Sequence, residues 1–227
     1  MRTKLLALSF DDGPDVATPE ILDVLGEFEV RATFFVLGRQ IRDREDILVR
    51  MRDEGHELGN HAFNHVSLAE SSDALIESEL AETSTAIERV TGVRPRLVRP
   101  PYGSGAERVA PLARRLGMEV VLWTNMPVDW DGSDAEAISW RMLQQTVSDD
   151  VVVLHDGADG GGDRQPTVDA LRAALPEWLS SGYRIVTISE LLRVRPWSAR
   201  RRVVVDSRFR KAIRAGSNTL RLAVRSS

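Results

Sequence analysis

Two of the chain's four histidines, His61 and His65, stand four residues apart. In a helix this spacing places both rings on one face, where they can chelate a single metal ion. With one carboxylate, the pair becomes a set of two histidines and one acid that leaves coordination positions for water and substrate. Histidines at this spacing also occur on ordinary surfaces and in cores, so the pair gains meaning only from the residues that accompany it.

Two adjacent carboxylates, Asp11 and Asp12, stand where an apolar stretch of the chain ends. Adjacent acids repel each other and are usually solvated, but a metal ion close to one of them would offset this repulsion. One acid would then bind the metal while the other remains free as a base. A solvated turn is the alternative interpretation, and the chain-turning Gly13-Pro14 is consistent with both.

Two residues further along the chain could support these carboxylates. Arg99 can hold a carboxylate through two parallel hydrogen bonds, which would keep Asp11 ionised and oriented. Tyr102 follows two prolines, in a stiff turn that could present its backbone N–H to developing negative charge. Structural roles for Arg99 and Tyr102 are equally compatible with the sequence.

His155 is the candidate for moving a proton, because a histidine gives or takes one near neutral pH. Asp129 could raise the pKa of His155 and fix the orientation of its ring. Trp130 and Leu154 would supply an apolar wall beside a small acyl group. The fourth histidine, His56, is interpreted as structural.

These residues need a scaffold that brings distant parts of the chain together. Apolar runs alternate with segments of helical periodicity, an order that indicates parallel strands joined by helices, as an open sheet or a closed barrel. The predicted strands are Leu5–Phe10, Ala32–Leu37, Glu57–Asn60, Arg96–Arg99, Val120–Thr124, Val151–Leu154 and Arg184–Ile188. Five polar clusters each lie just past the C-terminal end of a strand, at the rim where α/β barrels carry their active sites.

Charge is distributed unevenly along the chain. Residues 1–192 hold 19 basic and 33 acidic residues, whereas residues 193–227 hold 11 basic residues and one acid. We therefore predict a folded domain at 1–195 and a basic C-terminal tail at 196–227. The acidic domain would repel phosphates, so nucleic acid is not expected as a partner. The tail could be a solvated extension, dock against the domain, or contact an anionic membrane; the first two are favoured because anionic lipid would repel the domain.

Composition narrows the class of protein further. The chain has no cysteine, which excludes disulfides and thiolate metal sites. No apolar run approaches the ~20 residues needed to span a bilayer, and the N-terminus turns acidic too soon for a signal peptide, so the expected location is the cytoplasm. The glycine-rich stretch at 157–163 lacks the spacing of a phosphate loop and is expected to form a mobile loop at the mouth of the site. The oligomeric state is not indicated.

The ordered motifs SFDDGP, HAFNH, RPPYG, DW and VLHDG resemble those of the polysaccharide deacetylases with a NodB-homology domain, carbohydrate esterase family 4. The stretches ATFFVLG, GHELGNH and GYRIVTISELL are also similar, and the resemblance covers about residues 5–193. It implies a distorted (β/α) barrel of about seven parallel strands. It also implies metal-dependent removal of acetyl groups from glycans that contain N-acetylglucosamine, with zinc as the expected ion and cobalt or another divalent ion as alternatives.

The resemblance assigns each candidate a role by motif position. The implied metal ligands are Asp12, His61 and His65. The implied proton-transfer groups and their partners are Asp11 as base, His155 as acid, Arg99 beside Asp11 and Asp129 beside His155.

Two positions depart from the family's pattern. Ala62 stands where the family usually has a Ser or Thr that braces the metal loop, which predicts looser support and a metal affinity lower by ~10–100-fold. Met126 stands where the fourth motif, D-x-x-D-W, has its first acid, whereas the second acid, Asp129, is kept. Neither change removes a proposed catalytic group, and Met126 could reflect a different substrate.

The sequence therefore predicts hydrolytic N-deacetylation of an acetylated amino sugar, with O-acetyl ester hydrolysis as the alternative within the family. A non-haem iron oxygenase also uses two histidines and one carboxylate, but oxygen chemistry has no evident need for a free aspartate with an arginine partner. A catalytically silent glycan-binding barrel is a further alternative, and the presence of all the predicted catalytic groups argues against it.

Overall fold

The part of the chain that the structure describes, residues 3–158 and 161–194 of a computed structural model, is built around seven parallel strands. The strands are β1 (Lys4–Asp11), β2 (Thr33–Val36), β3 (Glu57–Asn60), β4 (Leu97–Val98), β5 (Glu119–Val120), β6 (Asp150–His155) and β7 (Tyr183–Val186). The helices are α1 (Thr18–Glu27), α2 (Glu45–Asp53), α3 (Asp73–Thr91), α4 (Ala106–Arg115), α5 (Ala135–Gln145), α6 (Gln165–Ser180) and α7 (Ile188–Val194). The predicted tail at 196–227 and two residues of the predicted loop at 157–163 lie outside the described residues.

The strands curl into the distorted barrel that the resemblance implied. Their order is β5-β4-β3-β2-β1-β6. Strand β7 pairs with the first half of β1, on the same edge where β2 pairs with the last three residues of β1. Beyond β5, the backbone N–H groups of Thr124 and Asn125 donate to the carbonyl oxygen of Val151 in β6. This contact joins the two ends of the sheet through an irregular segment rather than through a further strand.

Alternation along β1 separates the outer core from the inner face of the barrel, which becomes polar only toward the rim. Leu6, Leu8 and Phe10 lie in the outer core, between the sheet and the helices, and all three are fully buried. Burying each such side chain stabilises the fold by about 1.5–3 kcal/mol. Because side chains alternate with a period of two, Ser9 and Asp11 point to the opposite, inner face of the sheet. The last inward position of β1 thus carries a carboxylate at the rim.

The prediction of a strand over Val120–Thr124 is wrong beyond its first residue, since β5 ends at Val120. The carbonyl oxygens of Val121 and Leu122 accept hydrogen bonds from the side chain of Arg99 instead of pairing with a strand. The strand at Glu57–Asn60 has the predicted bounds, and the remaining strands differ from theirs by one or two residues at an end.

The helix boundaries follow the residues that favour them. Pro19 and Pro166 lie in the first turns of α1 and α6, where a missing backbone N–H costs nothing. Gly117 and Gly182 follow α4 and α6 with φ of 81°, a left-handed conformation that ends a helix at little cost for glycine. None of the helices that the structure describes combines the length and the apolar composition needed to cross a membrane.

Candidate active site

The polar residues predicted from separate strand ends meet at one rim of the barrel. Asp11 and His155 are direct neighbours, because β1 and β6 pair in parallel with these two residues in register. His61 follows β3, and Arg99 follows β4, which is the next strand in the sheet. Asp11, His61 and Arg99 are buried and His155 is partly buried, so their charges interact in surroundings that exclude much of the water.

Asp12, His61 and His65 form a cluster of the kind that binds a metal ion, with one ligand atom from each within 4.8 Å of the others. Oδ1 of Asp12 lies 3.3 Å from Nε2 of His61 and 3.2 Å from Nε2 of His65. Two ligand atoms bound to one tetrahedral ion at 2.0–2.2 Å stand about 3.4 Å apart, so this spacing fits zinc.

Two details of hydrogen bonding support the same interpretation. The Nδ1–H of His61 donates to the carbonyl oxygen of Arg99 at 2.7 Å, which leaves Nε2 as the ligand atom. Within the described residues, the buried Oδ1 of Asp12 makes no hydrogen bond of ordinary geometry. A buried carboxylate oxygen without such a bond is costly, and a bound cation would remove that cost.

Electrostatics at the cluster favours an ionised carboxylate. Burial raises the pKa of Asp12, but a contact with His61 and the charges of His61, His155 and His65 outweigh it, so this pKa lies well below its ordinary value. Burial lowers the pKa of His61, but the neighbouring Asp11 and Asp12 outweigh it and raise this pKa. The surroundings of the cluster therefore favour positive charge.

The expectation that His61 and His65 share one face of a helix is wrong. They lie in the loop between β3 and α3, where Ala62 has φ of 67° and His65 has φ of 58°. Positive φ values are incompatible with a right-handed helix. The two rings are brought to one point by the path of this loop, so the loop itself must be held in place by other parts of the protein.

Arg99 holds Asp11 through one short hydrogen bond, from Nη1 to Oδ1 at 2.7 Å, and not through the two parallel bonds expected. The remaining donors of the guanidinium are used elsewhere. Nη1 also donates to Oγ of Ser9 at 2.9 Å, Nη2 donates to the carbonyl oxygen of Leu122 at 2.9 Å, and Nε donates to that of Val121 at 3.4 Å. Burial lowers the pKa of Arg99, and the charge of Asp11 opposes this effect.

The second oxygen of Asp11 faces the metal cluster. Oδ2 lies 3.9 Å from Nε2 of His61, while Arg99 holds Oδ1. Asp11 therefore stands at the edge of the ligand set with one oxygen directed at it, as a base acting on a metal-bound water would require.

Asp129 holds His155 on two sides. Its Oδ1 accepts a hydrogen bond from Nδ1 of the ring at 2.8 Å, and its Oδ2 accepts one from the backbone N–H of His155 at 2.8 Å. The hydroxyl of Thr167, in the first turn of α6, donates to the same Oδ2 at 3.0 Å. This arrangement leaves Nε2 of His155 as the nitrogen that can exchange a proton with substrate.

The charges around His155 keep its ring protonated at neutral pH. Burial lowers the pKa of His155, but Asp129 and, more weakly, Asp11 and Asp12 raise it to about 9. Burial raises the pKa of Asp129, but His155 outweighs burial and lowers it. The pair is therefore an imidazolium and a carboxylate, as a general acid with an orienting partner requires.

The two residues predicted to form an apolar wall lie in different parts of the structure, one at the site and one in the outer core. Trp130 is 42% exposed and stands edge-on to the ring of His155, with 4.8 Å between the ring centroids. Leu154 is fully buried in the outer core, on the same side of the sheet as its register partner Phe10. The assignment of Leu154 to the wall is corrected, because a side chain with no exposed surface cannot touch a substrate.

Tyr102 stands beside His65 in the cluster. Its ring is 50% exposed and lies 4.6 Å from the ring of His65, centroid to centroid. Its backbone has φ of 60°, within the short turn Pro101–Gly103 that follows β4. The backbone is therefore strained at a residue that contacts His65, and such strain is common at functional sites.

Asp156 supports the site and was missed as a functional residue, although it belongs to the VLHDG motif. Its carboxylate accepts hydrogen bonds from the backbone N–H of Gly13 at 3.2 Å and from the hydroxyl of Thr18 at 2.7 Å. Burial and the nearby negative charge of Asp12 raise the pKa of Asp156 to about 7, although the hydrogen bond from Thr18 opposes this shift. It ties the segment after Asp12 to the end of β6.

Asn60 and Glu79 were also missed, and both hold the loop that carries His61 and His65. The side-chain oxygens of these two residues accept the backbone N–H groups of residues 62, 63 and 64. These bonds support the loop where Ala62 offers no hydroxyl, while the looser support and the lower metal affinity expected from Ala62 stay predictions. Glu79 could have been found from the sequence, because it falls on the apolar stripe of α3, three residues after Ile76.

Two other residues lie away from the chemistry. Nδ1 of His56 accepts the backbone N–H of Ala32 at 3.1 Å, and its ring packs edge-on against Phe34 just before β3 begins. This is the structural contact that was expected. Met126 is 7% exposed and packs in the inner core, where it meets apolar neighbours.

The chain is similar to known proteins over most of its length. Residues 1–121 match the family described as polysaccharide deacetylase. The chain is 39% identical over 193 residues to a peptidoglycan-N-acetylglucosamine deacetylase of Bacillus cereus, covering 84% of this chain and 89% of that protein. It is 33% identical over 199 residues to a chitooligosaccharide deacetylase of Bradyrhizobium sp., covering 83% of this chain and 91% of that protein. The crystal structure of the Bc1960 peptidoglycan N-acetylglucosamine deacetylase in complex with 4-naphthalen-1-yl-N-oxidanyl-benzamide matches with a TM-score of 0.79 and 34% identity, over 82% of this chain and 87% of that one.

Proposed function

The chain belongs to the polysaccharide deacetylase family, and on this basis we propose that it hydrolyses the acetamido group of N-acetylglucosamine residues in a glycan or glycoconjugate. One observation carries the proposal. A cluster of three metal ligands lies beside a carboxylate held by Arg99 and an imidazole held by Asp129. Amide hydrolysis needs these three elements together: an electrophilic centre, a base for water and an acid for the leaving amine.

Asp12, His61 and His65 would hold the ion, and we propose zinc. Two imidazoles and one carboxylate are a donor set typical of catalytic zinc, and the observed spacing of the ligand atoms fits its bond lengths. A divalent ion bound there would polarise the acetyl carbonyl and lower the pKa of a bound water.

Asp11 would act as the general base. Arg99 fixes its Oδ1 with a short hydrogen bond, and Oδ2 remains directed at the ligand cluster. In this position Oδ2 accepts the proton of the water that attacks the carbonyl carbon. The short ion pair with the buried guanidinium holds Asp11 in place before the reaction.

His155 would act as the general acid. Amines leave readily only when the nitrogen is protonated, and the imidazolium of His155 can supply that proton from Nε2. The raised pKa of about 9 keeps this proton in place at neutral pH, while Asp129 holds the ring in one orientation. The balanced reaction consumes one water and gives acetate and a free amino sugar.

Tyr102 and Trp130 would shape the site around the acetyl group. We assign to the backbone N–H of Tyr102 the stabilisation of the developing oxyanion, since its turn borders the metal ligands. The exposed ring of Trp130 stands beside His155, where it can pack against the acetyl methyl.

Acetate release measures the proposed reaction directly. The relatives are named for peptidoglycan and chitooligosaccharides, so we would test fragments of both, with an O-acetylated xylan as the ester comparison. We expect release from an N-acetylated glycan that stops on chelation and returns when zinc is added anaerobically. Release from the xylan alone would instead assign the ester reaction, and an absolute need for oxygen would assign an oxygenase. No release from any glycan by the zinc-loaded protein would contradict hydrolysis altogether.

A further inference from the structure

The loop that carries the two histidine ligands, residues His61–His65, cannot support itself. It is not helical, because φ is positive at Ala62 and at His65. Its backbone N–H groups therefore lack the intrahelical acceptors that a helix would provide. The positions of both imidazoles depend on what accepts these N–H groups from outside the loop.

Glu79, in the second turn of α3, accepts two of these backbone N–H groups. Its Oε2 accepts the backbone N–H groups of Phe63 and Asn64, both at 2.7 Å. Its Oε1 accepts the side-chain amide of Asn64, also at 2.7 Å. All three bonds go to the residues that separate the two histidines, and the side chain is buried, with 3% of the residue exposed.

The rest of the loop is tied to the same helix and to the turn after β2. The side chain of Asn60 accepts the backbone N–H of Ala62 at 2.8 Å and donates to the carbonyl oxygen of Leu80 at 2.8 Å. On the other side, the backbone N–H of Gly38 donates to the carbonyl oxygen of Ala62 at 3.0 Å. Glu79 thus holds the middle of a loop whose beginning is anchored independently.

A carboxylate buried at this position is not explained by the packing of α3. Burying an ionised group costs free energy, and an apolar residue would serve the packing of α3 better. The three hydrogen bonds to the loop compensate that cost, and bonds to a charged acceptor are shorter and stronger than neutral ones. The charge therefore strengthens the hold on the loop.

We propose that Glu79 is a positioning residue for the metal site, which fixes the separation and direction of His61 and His65 through the backbone between them. The proposal rests on the proposed function only in that Asp12, His61 and His65 bind a metal ion. It also accounts for Ala62, since a loop held through its backbone N–H groups does not need a hydroxyl at that position.

Metal affinity of the full chain tests this role without any measurement of activity. The zinc dissociation constant would be measured by competition with a chromophoric chelator, and the visible absorption of the cobalt-loaded protein would report ligand geometry. Glu79→Ala is expected to raise the dissociation constant by ~10–100-fold and to change the cobalt spectrum, which is the usual effect of losing a group that orients a ligand. Glu79→Gln keeps the side-chain volume and one acceptor oxygen, so we expect a partial rescue, with an increase of about tenfold.

Glu82→Gln is the matched control, because Glu82 is an exposed acid on the same helix. It should leave the dissociation constant and the spectrum unchanged. A folded Glu79→Ala protein with wild-type zinc affinity and cobalt spectrum would refute the role of Glu79. If that variant does not fold, Glu79→Gln decides, and an unchanged dissociation constant refutes the role.

The measurements distinguish a failure of the role proposed for Glu79 from a failure of the proposed deacetylation. Weakened zinc binding in Glu79→Ala, together with a wild-type protein that releases no acetate, would support the role of Glu79 and refute deacetylation. A wild-type protein that binds neither zinc nor cobalt would refute both.

Discussion

Replacing Asp129 with asparagine is expected to move the pH range in which the protein works. Asp129 is the largest of the charges that raise the pKa of His155, and it accepts the hydrogen bond from Nδ1. Asparagine keeps the size of the side chain and an oxygen that can accept the backbone N–H of His155 and the hydroxyl of Thr167. The substitution therefore removes the charge and leaves most of the local packing in place.

The size of the effect follows from the pKa of His155. The difference between the ordinary histidine pKa of 6.5 and about 9 corresponds to roughly 3 kcal/mol of interaction in favour of the charged ring. At pH 7.5 a group with a pKa of about 9 is almost fully protonated, whereas one near 6.5 is protonated in about one molecule in ten. Burial, which lowers this pKa, and the charges of Asp11 and Asp12, which raise it, all stay in the variant, so we expect a loss of about tenfold at pH 7.5.

The assay is the pH dependence of kcat/KM for acetate release, measured for wild type and variant. The ratio of variant to wild type should rise as the pH falls from 7.5 to 6, because His155 regains its proton in the variant. A bound divalent ion would weaken the contribution of Asp11 and Asp12 equally in both proteins, so the ratio isolates Asp129. Titration of the His155 ring by NMR should show the same downward shift in its pKa.

Asp131→Asn is the control, since Asp131 is an exposed acid two residues away that pairs with Arg141. It should leave the profile unchanged. A variant-to-wild-type ratio for Asp129→Asn that stays constant between pH 6 and 8.5, or an unchanged pKa of His155, would show that Asp129 does not act through the charge of the ring.

Three further substitutions separate the remaining roles. His65→Ala is expected to lose the bound ion, and full metal occupancy by elemental analysis would show that His65 is not a ligand. Asp11→Asn should keep the ion and lose activity by ~10²-fold or more, the usual contribution of a general base; retained turnover or lost metal would speak against this assignment. Arg99→Met is expected to lower the free energy of unfolding by about 3–5 kcal/mol in urea titrations, because it leaves the buried carboxylate of Asp11 without its cation. Adding Asp11→Asn to that variant should recover part of the loss, and no recovery would mean that the pair is not the cause.

Local patterns in the sequence were sufficient to predict most of the strands and to indicate which polar residues gather at one rim. A strand buried on both faces needs a continuous apolar run, which is why β1 and β6 could be located to within a residue. Polar residues directly after such runs must lie at a strand end, so Asp11 and His155 were expected at a shared rim before any pairing was known. The order of the motifs then indicated the family and the barrel.

The two faces of β6 could not be assigned from the sequence. A shift of one residue in the pairing of β6 with β1 would exchange the inner and outer side chains of the whole strand. The register pairs Leu154 with Phe10 and His155 with Asp11, which sends the leucine to the outer core and the histidine to the site. Register depends on the packing of both sheet faces, which no short stretch of sequence records.

The conformation of the metal-binding loop was also decided by tertiary structure. The sequence by itself determined that His61 and His65 are four residues apart and near a strand end, and this spacing suits a helix as well as a loop. Their actual positions depend on Glu79, which lies on another element and reaches the loop only when α3 packs against it. Likewise, the guanidinium of Arg99 donates hydrogen bonds to the backbone carbonyl oxygens just beyond β5, because closure of the barrel places them beside it. Residue types and spacing thus determined which groups are available, and long-range packing determined how they are held, because hydrogen bonds between distant segments form only after the core has brought them together.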